Sequence, residues 1–485
     1  MREYSTQEAI AYFSRATEIA ETSQDTTLAR AAFEGLGSAL MLTANAPRAL
    51  KSYETMMQYA QLHQDVPMQV SAHNKLAYVA MFSADFEGVE KHLHQAEQLA
   101  RSVEDRPGLS EMFIIRCQIC TASGDFETAI KYVGESAQLG QALGRQEQIA
   151  YGMTHTANAL LFLTRYDESF AKAEEALQMS EQIGDRAHQA ELLTLTFPPL
   201  YMRNGDLDTA RKLAEQGTAI GTRIGSTMAT TFGYWVQGII ARMRGEYQDA
   251  VDHFEQSLSA AKTGMPMFLV LPLGSLGTTL LEISPQFAEK SKALHTEALK
   301  LMEHPVPASM GGVGWAEIGF CALGLEDAEK ADELFQKGLN YPTTQGLMYK
   351  AVHLLGSAHV ALAQKRFDDA ARLVQEARAY VEERKMQHHY ADIALVDAQV
   401  SAARGDTAHA LDQFARAEQM AIEMKMRPIV WQARAGAAAL LAAMGRNDEA
   451  AAKRQAARAM IDEIAALFKD EKLKAMFVES AIKRI

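Results

Sequence analysis

Residues 124–136 read GDFETAIKYVGES, and residues 245–257 read GEYQDAVDHFEQS. Both open on a glycine and an acid, which end one helix and cap the next. Both then place a small residue (Ala129, Ala250) seven positions before another (Ser136, Ser257), with a large one between (Val133, Phe254). Seven residues are close to two helical turns, so the two small side chains share one helix face and admit a close neighbour. The first small column extends along the chain as Ala9, Ala49, Val89, Ala129, Ser169, Ala210, Ala250, Ser291, Ala331, Ala370, Ala410 and Ala450, at spacings of 39–41 residues. A third column, twelve residues earlier, runs from Gly37 through Ala77, Cys117, Ala157, Pro198 and Gly238 to Ala438. Each period of 40 is therefore a helical hairpin, helix A then helix B, whose apolar face is covered only by stacking on its neighbours.

These small–small–large columns resemble the tetratricopeptide repeat. The resemblance covers about residues 5–467 and implies an all-α, right-handed superhelical solenoid of antiparallel hairpins. Residues 1–469 read as one array, a leading half-hairpin plus eleven hairpins, and residues 470–485 as a capping helix with Leu473, Met476, Phe477 and Ile482 on its apolar side. The period of 40 rather than 34 is similar to the sensor arms of bacterial signal-transduction ATPases and cyclase regulators. The opening on a B-phase helix fits the C-terminal part of a longer protein, or an unpaired helix acting as a cap.

Composition narrows the function classes. With 61 acidic against 48 basic side chains, the net charge of −13 does not supply the basic face that nucleic acid or an anionic membrane requires. Three cysteines make no disulfide framework, which points to a reducing, cytoplasmic setting. The uncharged run 263–281 is interrupted by Pro266, Pro272, Gly274 and Gly277, so it reads as a helix of the array rather than a membrane span. Cys117 and Cys120 form a CxxC in mid-helix, with Cys117 in the small-residue column, and so read as packing residues. His92/His94 and His388/His389 are too close along a helix to face one another, and no metal set is expected. No nucleotide, zinc-hydrolase or nucleophile motif is present, so neither an enzyme nor a cofactor is expected.

Residues 192–316 hold seven of the twelve prolines and thirteen of the thirty-one glycines, and their A helices carry the uncharged tracts 192–202, 225–241, 263–281 and 305–316. In tetratricopeptide arrays helix A lines the concave side. By that resemblance Phe232, Trp235, Ile239, Leu273, Leu276, Trp315 and Phe320 would border an apolar groove, while Asn74, Tyr78, Gln118, Tyr151 and Asn158 would form a polar one nearer the N-terminus. Pro198, Pro199 and Pro272 fall inside A helices and would free the carbonyls of Thr194, Leu195 and Phe268, giving either a ligand handle or a kinked hinge. The functional expectation is a non-catalytic binding scaffold, the sensor or protein-interaction arm of a larger cytoplasmic signalling protein. The rivals are a stand-alone receptor for a peptide or small apolar ligand at 192–316, and a structural adaptor using the polar groove.

Overall fold

The computed structural model describes residues 6–22, 25–43, 45–82, 85–262, 266–303, 308–341 and 349–485. Among these residues every regular element is helical. A leading helix, α1 (Thr6–Glu21), is followed by alternating A and B helices. The first four hairpins are α2 (Thr26–Leu42) with α3 (Ala46–Leu62), α4 (Val66–Phe82) with α5 (Phe86–Ser102), α6 (Arg106–Ser123) with α7 (Phe126–Ala142), and α8 (Gln146–Phe162) with α9 (Tyr166–Ile183). The next A helix is broken into α10 (Arg186–Glu191), a π segment and α11 (Phe197–Arg203), and is paired with α12 (Leu207–Ile224). Then come α13 (Thr227–Met243) with α14 (Tyr247–Lys262), α15 (Val270–Ile283) with α16 (Ala288–Met302), and α17 (Ala308–Gly324) with α18 (Ala328–Leu339). The last hairpins are α19 (Lys350–Ala363) with α20 (Phe367–Glu383), α21 (Tyr390–Ala403) with α22 (Thr407–Glu423), and α23 (Arg427–Ala443) with α24 (Asn447–Ala465), followed by α25 (Glu471–Ile482).

The turns explain the even spacing. Helix after helix ends on a residue of positive φ, about twenty residues from the next: Gly124, Gly144, Gly184, Gly205, Gly225 and Gly245, and again Gly405 and Gly445. Where the position is not glycine, Glu104, Thr164, Lys365, Lys385 and Lys425 take the same left-handed geometry at some cost in strain. An aspartate next to the turn then accepts from the first free amides of the following helix: Asp105 from Gly108 N, Asp125 from Thr128 N, and Asp406 from His409 N. The repeating glycine–acid strings are stop and start signals of this kind.

The columns are the contact surfaces. Ala49, Ala129, Ala210, Ala250, Ala331, Ala370, Ala410 and Ala450 are all fully buried. In the third column, a Cβ on Gly37, Gly238 or Gly319 would lie 2.3, 2.5 or 2.7 Å from the ring of Tyr53, Phe254 or Phe335, the large residue of its own hairpin. Small residues on helix A thus make room for an aromatic on helix B. Leucine at Ala129 or Ala410 should overpack this contact and cost about 1–3 kcal/mol, whereas Glu175→Gln on an exposed face should stay within about 0.5 kcal/mol. Equal melting shifts for both kinds of change, followed by circular dichroism, would overturn the register.

Although the sequence reads as one array, its contacts divide the chain into two compact units. Unit 1 comprises Met1–Thr196, Gln216–Thr231 and Ala260–Pro266, and unit 2 comprises Phe197–Glu215, Phe232–Ser259 and Met267–Ile485. In both, A helices of successive hairpins touch, α4 with α6 in unit 1 and α15 with α17 in unit 2, so they form the inner layer.

Unit 2 departs from a nearest-neighbour solenoid. Its run of hairpins returns onto itself after about five repeats. Lys425 reaches Asp208 at 2.6 Å, Arg427 donates to the Arg244 carbonyl at 2.9 Å, and the Gln248 side-chain oxygen accepts from the backbone of Lys469 and Asp470. Val236 and Ile240 of α13 share a core with Ala391, Ala394 and Leu395 of α21 and with Ala433 and Ala437 of α23. The terminal α25 is part of this closure: Phe477 is 1% exposed and packs at a tilt against Tyr247, with ring centres 5.5 Å apart. Uncharged A helices in this part of the chain are what such a closed inner face needs.

The helices adjust locally at the prolines. A five-residue π segment, Leu192–Thr196, runs without a break into Phe197, so Pro198 and Pro199 stay inside one helical run and the wider π turn makes room for their rings. Pro272 is the third residue of α15, which continues directly from a 3-10 turn at Pro266–Leu269. The beginning of the 263–281 tract and residues 305–307 lie outside the described residues.

Candidate functional site

The inner layer of unit 1 is polar and cross-linked from helix to helix. Ser71 of α4 donates to Glu34 of α2 at 2.5 Å, and Lys75 pairs with Glu111 of α6 at 2.5 Å. Asn74, fully buried, donates to the Gly108 carbonyl at 2.9 Å. Tyr78 is half-buried beside it, and burial pushes its hydroxyl up to about 12. Further along, Gln118 of α6 donates to the Tyr151 hydroxyl of α8 at 2.5 Å. Asn158, one face of α8 further on, donates to Glu191 of α10 at 2.8 Å and accepts from the Thr196 hydroxyl. The five residues of the polar set therefore sit on three successive A helices, each tied to the next. The side-chain oxygens of Asn74 and Gln118 are buried without a hydrogen-bond partner, the kind of group whose desolvation costs about 1–3 kcal/mol until a donor arrives.

Three residues that the sequence reading passed over meet at the same place. His155 of α8 and His188 and Glu191 of α10 bring one ligand atom each to within 4.8 Å of one another. His188 Nδ1 is 2.5 Å from Asp185 Oδ2. Burial alone would lower the His188 pKa; the hydrogen bond to Asp185 and the charges of Glu191 and Asp185 outweigh it and raise it. Burial lowers that of His155, whose ring packs 4.1 Å from Tyr151. Chelating spacings within one helix do not include this set, which spans two helices. Its sequence signal is a separation of 33 residues, the same as in the Gln118–Tyr151 and Asn158–Glu191 pairs.

The apolar set lies wholly in unit 2. Leu273 and Leu276 are 1% and 2% exposed, which makes them core rather than groove wall. Ile239, Trp235, Trp315 and Phe320 are half-buried and pack against that core. Trp235 Nε1 donates to Ser275 Oγ at 3.0 Å, Phe232 meets Phe268 edge-on at 5.1 Å, and Phe320 meets Phe335 at 5.0 Å. Lys337 lies over the Trp315 ring, 5.4 Å from its centre. The charged residues that end three of the uncharged tracts, Arg242, Glu282 and Glu317, are gathered together, with Arg242 Nη1 and Nη2 donating to the two Glu317 oxygens at 2.8 and 3.1 Å. A separate cleft of about 540 Å³ is lined by Lys350, Arg372, Glu376, Tyr380 and Arg384 among others, its charges already engaged with one another.

Of the thiols, Cys117 is fully buried and burial pushes it up to about 12, while Cys120 is half-buried and also raised by burial. A nucleophilic or redox-active thiol needs the opposite shift. No described helix is long and apolar enough to cross a membrane.

No family model and no curated protein matches the chain. Among solved structures it is similar to a Rap protein complexed with competence and sporulation factor, at a TM-score of 0.53 and 9% identity, over 74% of this chain and 99% of that one. It also aligns with the APC/C hetero-tetramer Cut9–Hcn1 (TM-score 0.46, 11% identity, 98% of this chain and 96% of that one). A tetratricopeptide repeat protein from Parabacteroides merdae gives a TM-score of 0.32 at 14% identity, over 61% of this chain and 100% of that one. The shared fold with the first, together with the hairpins and columns described above, makes this a tetratricopeptide-like, all-α helical repeat protein.

Proposed function

We propose that the protein is a non-catalytic binding scaffold whose working surface is the polar inner layer of unit 1, and that it takes a peptide or protein partner there. The observation that carries this reading is the row of half-buried amides and hydroxyls, Tyr78, Gln118, Tyr151 and Asn158, on successive A helices. Side-chain amides can both donate to and accept from an extended main chain, so a row of them suits a peptide better than an apolar ligand. The Rap protein of similar fold is complexed with competence and sporulation factor in its crystal structure, which supports a binding role for a chain of this fold. The 40-residue period extends the reading to the sensor arm of a larger cytoplasmic signalling protein.

The test is a selection of peptides from a random library on the intact chain, followed by affinity measurements on variants. Gln118→Ala combined with Asn158→Ala should weaken the selected peptides at least tenfold, while Phe232→Ala combined with Trp235→Ala should leave them unchanged. If instead the Phe232/Trp235 variant loses binding and the Gln118/Asn158 variant keeps it, the apolar residues of unit 2 are the receptor surface and the present reading is wrong.

A further inference from the structure

We infer that His155, His188 and Glu191 form a divalent transition-metal site of the zinc class, linking α8 to α10. The donor set is two imidazoles and one carboxylate, which suits zinc and its neighbours rather than magnesium or calcium, whose sites are built from oxygen. The ligand atoms lie within 4.8 Å of one another. Ligands on a tetrahedral zinc, with bonds of about 2.0–2.1 Å, stand roughly 3.4 Å apart, so small side-chain rotations close the set.

Two features make this a built site rather than a chance meeting. The first is the support behind each ligand. His188 Nδ1–H donates to Asp185 at 2.5 Å, which fixes the tautomer and leaves Nε2 as the metal-facing nitrogen. Glu191 is held by the Asn158 amide at 2.8 Å, and Asn158 is itself fixed by the Thr196 hydroxyl. The second is the state of Glu191. It is 7% exposed, and no lysine or arginine among the described residues pairs with it. The groups facing it are two imidazoles and an amide, so its charge is met either by a protonated His188 or by a metal held on the two rings. Three protein ligands leave a coordination position for water or for a donor carried by a partner. The inference does not depend on what the polar layer binds.

The test uses the full chain, stripped with chelator and titrated with Zn²⁺ by calorimetry and with Co²⁺ by visible absorption. The expected result is one ion per chain with micromolar or tighter affinity, a tetrahedral or five-coordinate cobalt spectrum, and a rise in melting temperature on adding Zn²⁺. His155→Gln and His188→Gln should each weaken binding at least 100-fold. Glu191→Gln, which keeps the shape, and Asp185→Asn, which touches only the support, should weaken it about 10- to 100-fold with the helical spectrum intact. The pair His73/His92, whose Nδ1 atoms lie 2.9 Å apart, is the control: changing both to Gln should leave stoichiometry and affinity unchanged. Absence of stoichiometric binding at 10 µM protein, or binding that survives Glu191→Gln and His188→Gln but is lost with His73 and His92, would overturn the assignment.

Discussion

Arg242→Met should destabilise unit 2 by about 3–5 kcal/mol near pH 7.5, the cost of leaving a buried charge without its partner. Arg242 makes a two-pronged ion pair with Glu317, the two side chains being 18% and 8% exposed. Burial pushes the carboxyls of Glu282 and Asp392 upward, Asp392 to about 7, and Arg242 is the cation that opposes both shifts. Its removal therefore strands one paired carboxylate and raises two more. The double variant Arg242→Met, Glu317→Leu should recover most of the loss, because a buried ion pair replaced by apolar residues of similar size is close to neutral. All three tryptophans, Trp235, Trp315 and Trp431, lie in unit 2, so tryptophan fluorescence in urea follows this unit selectively. If Arg242→Met alone proves as stable as the parent, the pair is solvated and this account of the inner face fails.

That cluster also marks where sequence reading stops. The hairpins, their period and the small columns are legible because they repeat at fixed spacing and because packing leaves no freedom at Ala129, fully buried, or at Gly238, where a Cβ would meet the Phe254 ring. The uncharged tracts 225–241, 263–281 and 305–316 were also plain to see. What they meant was decided by the residues that end them, Arg242, Glu282 and Glu317, which stand 40 and 35 residues apart. Nothing in one chain's sequence says that these ends converge. They do so because Gly274 of α15 lets Glu317 approach, a Cβ there falling 2.8 Å from that of Glu317, and because Thr278 donates to the Glu317 carbonyl at 3.1 Å. An apolar tract lines an open groove in a loosely wound array and becomes core in one that closes on itself. The return of Lys425 onto Asp208, 217 residues away, decides for closure in unit 2.

The polar set shows the complementary case. Gln118, Tyr151 and Asn158 could be picked out as polar residues on successive A helices, and the structure joins Gln118 to Tyr151 and Asn158 to Glu191 by direct hydrogen bonds. His155, His188 and Glu191 carry the same repeat-to-repeat offset. They are not legible in the sequence because chelating spacings along one helix are fixed by helix geometry, whereas the offset between two stacked helices is set by how those helices pack.

Acid should weaken unit 2 through His353, against the opposite contribution of Asp392, whose raised carboxyl takes up its proton in the folded chain first. This ring in α19 is wholly buried, with Nε2 2.8 Å from the Gly312 carbonyl and Nδ1 without a partner. Gly338 roofs it so closely that a Cβ there would come within 2.0 Å. Burial lowers its pKa from 6.5 to about 4, against the smaller opposing pull of the Gly312 carbonyl. Between pH 6.5 and 4 the unfolded chain binds a proton at this position and the folded one does not, so stability falls as pH falls through that window. A shift of this size corresponds to about 2–3 kcal/mol lost by pH 4.5. His359 and His388, also lowered to about 4 by burial, add to the loss in the same direction. His353→Gln keeps an amide donor for the Gly312 carbonyl and removes the titration. Its urea midpoint should be close to the parent's or somewhat lower at pH 7.5 and should fall less steeply to pH 4.5, leaving the variant the more acid-resistant of the two. Parallel pH profiles for the two proteins, read by tryptophan fluorescence, would show that His353 protonates in the folded state and that the ring is not sealed beneath Gly338.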